Sequence, residues 1–312
     1  MKLSIVVLFS DRDKNLFRAW FEQTQKNVEV EHEVIAVDNT SDGSLEQIEG
    51  AKVVRGGRDV GCFAGRKLGF KQSVGQYIWY CDGDDETLPL KAFDYTADLV
   101  CFNYLAKHKG EEEKHICKDP YVMPYKATAK TFYHAYWKNM CKNMVWNKFI
   151  RRELLENIYN AVPDFELYTS EDAFLSVLLE MTIRSVEFDN KAFYLYYLNN
   201  GMSENTITDI ERFKRVFRGT KEAWACYKLM TTDEQRAESG IRVEDLMIGL
   251  CKYALDQNKW ADAVFKDYCK FLVEYFSFNM VSSVLEIYKD EYKQNYYRIK
   301  RHITDFNNEV TK

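Results

Sequence analysis

Asp82, Asp84, Asp85 and Glu86 place four carboxylates within five residues, directly after the apolar run Tyr77-Ile-Trp-Tyr-Cys81. Ionised carboxylates repel one another, and the end of a strand gives them little reason to cluster. A divalent cation removes the repulsion, and an all-oxygen donor set suits Mg²⁺ or Mn²⁺. Gly83 allows a sharp turn, so that Asp82 and Asp84 can aim at one point. Mg²⁺ takes few protein ligands and shares its coordination sphere with substrate phosphates. The chemistry suggested is a metal–diphosphate site at the carboxyl end of a strand. A solvated acidic turn is the plain alternative.

A frame must hold these groups. Leu3–Phe9 predicts a buried strand, and Leu16, Phe17, Trp20 and Phe21 follow at helical spacing. Glu33–Val37 predicts a second strand, closed by the turn Asp38-Asn-Thr-Ser-Asp-Gly43. Ala51–Val54 is a third strand, Phe63–Phe70 a helix and Tyr77–Cys81 the fourth strand. This alternation predicts an α/β fold with a mostly parallel, Rossmann-like sheet flanked by helices. Ligands of such sheets bind outside the carboxyl ends of the strands. Ser10, Asp11, Asp38 and Asp82–Asp85 are thereby expected on one rim. Leu99–Tyr104 and Ala192–Tyr197 are strand-like, and 170–180 reads as a helix capped by Ser170 or Thr169. From about Asp209 the pattern is helical to the end. The expected division is 1–208 and an all-helical 209–312.

Composition narrows the class. A chain of 312 residues with 46% hydrophobic and 15% aromatic residues can bury a sizeable core, which excludes a disordered polymer. No apolar run is long enough to span a bilayer. Eight cysteines without a CxxC pair suggest free thiols in a reducing, cytoplasmic setting. The five histidines show no ligand spacing, and a net charge of −5 gives no global attraction to nucleic acid. Gly56-Gly-Arg-Asp-Val-Gly61 continues into Cys62-Phe63 and so lacks the Lys-Ser/Thr of a P-loop.

Seven ordered blocks carry a family resemblance: Ser4-Ile-Val-Val-Leu-Phe9, Glu33-Val-Ile-Ala-Val-Asp38-Asn-Thr-Ser-Asp-Gly43, Gly61-Cys-Phe-Ala-Gly-Arg66-Lys-Leu-Gly69, Tyr80-Cys-Asp82-Gly-Asp84-Asp85, Val145-Trp-Asn-Lys148-Phe-Ile-Arg-Arg-Glu-Leu-Leu155, Glu171-Asp172, and Tyr194-Leu-Tyr-Tyr197 with Ser203 downstream. Together they resemble the family-2 glycosyltransferases of GT-A fold over roughly residues 3–205. The chain departs from that pattern at Leu8-Phe-Ser-Asp11, at Asp38-Asn39-Thr-Ser-Asp-Gly43, at Lys67 and at Leu198. The resemblance implies inverting transfer from a nucleoside-diphosphate sugar, a UDP-sugar by preference, to an acceptor hydroxyl. It implies Asp84 as the direct metal ligand, with Asp82 beside it on metal-bound water or ribose and Asp85 orienting the motif. Asp38 is implied to meet the base, and Ser10, Asp11 and Arg66 the rest of the donor. Asp172, with Glu171 beside it, is implied as general base. The alternative is a sugar-nucleotide or nucleic-acid binding module without catalysis.

Lys126–Arg152 holds seven basic residues and no acidic one, with Phe132, Tyr133, Tyr136, Trp137, Trp146 and Phe149 interleaved. Basic residues with aromatics suit a polyanion whose rings stack. Lys142, Trp146 and Lys148 are the expected acceptor contacts. The expected acceptor is a saccharide, as the resemblance implies, or a polyanion such as DNA with a hydroxylated base drawn out of its stack. A solvated basic face over core aromatics is the plainer reading.

Overall fold

Seven consecutive buried residues, Leu3–Phe9, form the strand β1 at the centre of the sheet, as an apolar run without alternation requires when both faces are covered. The structure is a computed structural model that describes residues 2–56, 60–108, 115–117, 126–128, 144–168, 171–198, 209–233, 243–256, 262–292 and 294–310. The further strands are β2 (His32–Asp38), β3 (Ala51–Arg55), β4 (Tyr77–Asp82), β5 (Glu86–Thr87), β6 (Leu99–His108), β7 (His115–Cys117), β8 (Lys126–Thr128), β9 (Lys148–Arg151) and β10 (Ser185–Leu198). They make one sheet in the order β3-β2-β1-β4-β9-β6-β10-β5, with β7 beside β6 and β8 beside β10. The block β3-β2-β1-β4 is parallel, as is β6–β10. Between them β9 runs antiparallel to both neighbours.

The helices of this unit are α1 (Phe17–Asn27), α2 (Gly61–Gln72), α3 (Arg152–Ala161) and α4 (Glu171–Thr182). Trp20, Trp79, Phe102, Phe149 and Phe193 pack with β1 in the main core. The first compact unit is Met1–Asn200 with Gly219–Tyr227, and the second is Gly201–Arg218 with Lys228–Lys312. The described residues from 209 onward form helices and turns without strands: α5 (Ile210–Val216), α6 (Thr220–Met230), α7 (Val243–Asp256), α8 (Asp262–Phe276), α9 (Phe278–Ile287), α10 (Lys289–Tyr292) and α11 (Gln294–Val310). The second unit has its own core, including Phe213, Phe217, Leu255, Tyr268, Leu272 and Ile299.

The parallel strands fall where the sequence predicts them. The short strands β5, β7, β8 and β9 and the helix α3 are not among the expected elements. A four-residue strand inside a basic run has no visible period, and its Lys148 is fully buried. β10 is also longer than the expected Ala192–Tyr197, because shifts of register between Asp189 and Tyr194 break its alternation. Cys62, Cys81, Cys101, Cys226, Cys251 and Cys269 are free thiols. Among the described residues no helix is long and apolar enough to cross a membrane.

Candidate active site

Strand register decides which side chains meet. In the parallel pairs Phe9 stands opposite Asp38, and Leu8 opposite Asp82. The chain runs outward from β1 to β2 and β3 on one side, while β4 lies on the other. Loops leaving neighbours on either side of such a reversal part to opposite faces and open a crevice at the carboxyl ends. Ser10 and Asp11 leave β1 there, Asp38 ends β2 and Asp82 ends β4.

The expected turn is present, with the Asp85 amide donating to the Asp82 carbonyl at 3.2 Å, but Gly83 is needed there for close approach rather than for a left-handed backbone. Positive φ is found at Gly43, Gly50, Gly61 and Gly219 and not at Gly83. A Cβ at position 83 would lie 2.4 Å from Cδ1 of Phe9 and 2.9 Å from the Leu8 carbonyl oxygen. The Gly83 amide donates to that carbonyl at 3.2 Å. The acidic turn is thus laid flat on the end of β1. Gly61, by contrast, opens α2 with φ of 82°, a conformation that L side chains avoid.

Arg66 reaches the rim from α2. One guanidinium nitrogen contacts Asp172 Oδ1 at 2.9 Å and Glu171 Oε1 at 3.1 Å, and the other contacts Asp82 Oδ1 at 3.2 Å. Its side chain is 4% exposed. Three carboxylates from two distant segments therefore share one buried cation. Burial raises the Glu171 carboxyl, and the charge of Asp172 raises it further. Burial likewise raises Asp172, opposed by Arg66. The same surroundings push the Cys62 thiol up, through burial and then the charge of Glu171.

Asp85 holds the acidic turn to β10. Its carboxylate accepts from Tyr194 Oη at 2.9 Å and the Tyr197 amide at 2.8 Å, while Tyr194 Oη accepts from the Asp82 amide at 3.0 Å. Tyr194 holds a positioning role that the sequence reading did not assign, although it opens the Tyr194-Leu-Tyr-Tyr197 block; its partners Asp82 and Asp85 are more than a hundred residues away in the chain.

The remaining rim residues brace one another. Asp38 is buried and accepts from Thr40 Oγ1 at 2.6 Å and the Thr40 amide at 3.1 Å. Asp11 accepts from the Ser41 amide at 3.2 Å, joining the loops after β1 and β2. Ser10 Oγ donates to Asp13 at 2.9 Å.

Two of the expected acceptor contacts need correcting. Trp146 is 3% exposed, stacked on Tyr194 at 4.6 Å and on Tyr196 at 5.2 Å. Lys148 is 0% exposed. Neither faces an extended polymer, because β9 lies inside the sheet between β4 and β6. Arg151 pairs with Asp98 at 3.3 Å, and Arg152 donates to the Gly75 carbonyl and to Ser73 Oγ at 2.7 Å. Lys142 lies outside the described residues.

Could the acidic turn hold a cation? Burial first, then the charges of Asp82 and Asp13, push the Asp84 carboxyl up to about 6. Asp85 is pushed up to about 9 by burial, then by Asp82 and Asp84. These carboxyls resist ionisation when crowded and buried without a cation; as hard oxygen donors beside a crevice they fit Mg²⁺ or Mn²⁺, which would favour their ionised forms. Among the described residues no three such ligands converge, so Asp82 and Asp84 would share an ion with a substrate's phosphates. A stability prediction follows from the same two carboxyls. In the unfolded chain both titrate near 3.8. The native protein therefore holds protons that the unfolded chain has released. The resulting stabilisation is full below about pH 4 and is lost as pH climbs through the raised native values. The melting temperature is expected to fall from about pH 5 to about pH 9, and less steeply with Mn²⁺, which favours the ionised carboxylates. A melting temperature that rises over this interval, read by scanning fluorimetry, would contradict the crowding.

Known proteins share this geometry's framework. A family model described as "Glycosyl transferase family 2" matches residues 6–172. Glycosyltransferase GlyA of Streptococcus pneumoniae is 24% identical over 206 residues, 60% of this chain and 29% of that protein. Cholesterol galactosyltransferase of Borreliella burgdorferi is 26% identical over 240 residues, 68% of this chain and 64% of that protein. The chain thus spans less than two thirds of either relative's length. The crystal structure of S. aureus TarS 1-349 superposes with a TM-score of 0.51 at 14% identity, covering 93% of this chain and 92% of that one. The same protein in complex with UDP-GlcNAc gives 0.53 at 16% identity, covering 98% and 89%. At these identities the solved structures establish a common fold, the GT-A arrangement.

Proposed function

The chain belongs to glycosyl transferase family 2, and on that premise we propose that it transfers a sugar from a UDP-sugar to an acceptor hydroxyl, with inversion and with a divalent cation. The observation that carries this is the meeting of Asp82, Glu171 and Asp172 on one buried Arg66 at the sheet crevice. It sets the donor side of the site beside a carboxylate able to take a proton. A solved structure of the same fold holds UDP-GlcNAc, which supports uridine as the nucleoside.

In this reading Asp172 accepts the proton of the acceptor hydroxyl. The oxygen forms its bond to the anomeric carbon on the face opposite the diphosphate. The bond from that carbon to the diphosphate oxygen breaks, and its electron pair leaves with UDP. Asp84 and Asp82 would hold Mn²⁺ or Mg²⁺, which supplies Lewis-acid stabilisation of the departing diphosphate. Ser10, Asp11 and Asp38 shape the wall that meets the nucleoside. Asp85 and Tyr194 keep the acidic turn in register.

We take a saccharide hydroxyl as the acceptor, as the family membership suggests. Lys148, Arg151 and Arg152 are engaged within the fold, so a polyanion such as DNA with a hydroxylated base would have to be held by other residues. A sterol joins the acceptor panel because one relative is named for cholesterol.

The test is nucleotide release from a panel of UDP-sugars with Mn²⁺ and these acceptors. Asp84→Ala is expected to lower turnover on the order of 10²-fold or more, the scale of losing one element of electrostatic stabilisation. UDP binding without release from any donor would instead identify a binding module. A gel shift with duplex DNA at low salt, where phosphate contacts are strongest, decides the polyanion reading.

A further inference from the structure

The last residues of β10 run past the acidic turn. Antiparallel pairing with β5 sets Tyr194 opposite Thr87 and Leu195 opposite Glu86. The next step of that register brings Tyr196 level with Asp85. Hydrogen bonds fix this placement on both sides of residue 196. Tyr194 Oη donates to Asp85 Oδ2 at 2.9 Å, and the Tyr197 amide donates to Asp85 Oδ1 at 2.8 Å. From Tyr194 to Leu198 the pairing with β6 is regular. Side chains two apart in a regular strand share a face, so Tyr196 stands beside Tyr194, whose hydroxyl accepts from the Asp82 amide at 3.0 Å.

The Tyr196 ring is held without being enclosed. Trp146 lies nearly parallel to it, with 11° between planes and 5.2 Å between centroids. Trp146 is itself fixed: Tyr104 packs edge-on against it at 4.7 Å, and its carbonyl accepts from Trp79 Nε1 at 2.7 Å. Trp146 and Tyr194 are buried, whereas Tyr196 is half-buried. Tyr194 and Tyr197 commit their hydroxyls to Asp85 and Glu86. Among the described residues the Tyr196 hydroxyl has no hydrogen-bond partner. A tyrosine so placed offers a rigid apolar ring and an unused polar tip. A pyranose has the matching surface, with C–H bonds on its ring face and hydroxyls around its edge. A nucleoside base fits less well, because Asp38 ends β2 and the sheet order puts β2 and β10 on opposite sides of β4.

We propose that Tyr196 binds a pyranose ring at the transfer site, its aromatic ring packing on the C–H face and its hydroxyl bonding a sugar hydroxyl. The inference deepens the reading as a glycosyltransferase and rests on it. The pyranose belongs either to the donor or to a saccharide acceptor, and the same contact serves both.

The test compares wild type, Tyr196→Leu and Tyr196→Phe in the full chain with Mn²⁺. The probes are UDP, UDP-glucose, UDP-galactose, UDP-GlcNAc and the methyl glycosides of the same three sugars. Tyr196→Leu is expected to weaken the pyranose-dependent step on the order of tenfold, the scale of one aromatic contact, with UDP affinity at the wild-type level. Tyr196→Phe loses about fivefold, the scale of one hydrogen bond. A loss of UDP-sugar affinity relative to UDP assigns the donor's sugar. A raised KM for a methyl glycoside, at unchanged UDP-sugar affinity, assigns the acceptor's. Unchanged values in both arms overturn the proposal. An equal loss for UDP itself also overturns it and marks Tyr196 as a support of the acidic turn. Where the wild type turns over no donor, the functional reading fails by itself, and saturation-transfer NMR with the same probes decides the inference. Pyranose protons of at least one probe are expected to take up saturation from wild type and to lose it with Tyr196→Leu. No pyranose signal in wild type, or an equal signal in the variant, sinks the inference. Should Tyr196→Leu fail to fold, Tyr196→Phe keeps the ring stack and carries the test, and wild-type pyranose binding by that variant overturns the proposal.

Discussion

Asp172→Asn is expected to lower kcat for sugar transfer by about 10²–10⁴-fold, the usual contribution of a positioned general base. UDP affinity is expected to stay unchanged. Asparagine matches aspartate in volume, and its carbonyl oxygen can still accept from Arg66. It cannot take up the acceptor's proton. A loss confined to kcat therefore isolates proton transfer from folding and from donor binding. Stopped-time assays of UDP release, paired with calorimetric titration of UDP, separate the two quantities. A variant that keeps more than about a tenth of wild-type kcat would remove Asp172 from the role. Glu171, on the same guanidinium nitrogen, would then be the carboxylate to replace.

Arg66→Met carries the largest expected effect on stability. Removing one partner of a buried ion pair typically costs about 3–5 kcal/mol, because charge is left buried and unpaired. Here three carboxylates lose their shared cation. Asp82 and Asp172 are 34% and 22% exposed, so solvent screens part of the penalty, and the lower end of about 3 kcal/mol is expected. The size depends on pH. Below the raised pKa values of Glu171 and Asp172 these groups hold protons and need the cation less. Above them they repel. The deficit against wild type, from urea unfolding, is expected to be larger at about pH 8 than at about pH 5. Arg66→Lys should recover part of it, since an ammonium keeps the charge but not the fork that spans separate carboxylates. Equal stability of Arg66→Met and wild type at the higher pH would show that the cluster is satisfied without the guanidinium.

Much of the frame can be read from the chain. β1, β2 and β4 are apolar runs closed by polar residues, and a parallel sheet leaves such runs no other place than its centre. The carboxyl-end rim follows from that assignment, which brings Ser10, Asp38 and Asp82 to one edge before any coordinates are known. The carboxylates of the acidic turn are legible for a similar reason. Like charges that close together need a cation or water. Of the basic stretch, Lys148 is buried, Arg151 pairs with Asp98 and Arg152 donates to Gly75 and Ser73, because β9 is inserted antiparallel between β4 and β6 and residue type alone does not reveal that insertion; Lys130, Lys138 and Lys142 lie outside the described residues. The Tyr194-Leu-Tyr-Tyr197 block is visible in the chain, but the role of Tyr194 is not, because it lies in one hydroxyl that joins Asp85 to the Asp82 amide across 109 and 112 positions of chain.

The sequence by itself determined the strand–helix alternation, the family and the identity of the acidic residues, because these depend on periodicity and on the chemistry of neighbours along the chain. Tertiary structure alone decided that Arg66 joins residues 82, 171 and 172, that Gly83 is a matter of close approach to Phe9, and that Lys148 faces inward. Those facts depend on distances between segments far apart in sequence. Such distances are set by strand order and register, and no short window of residues encodes them.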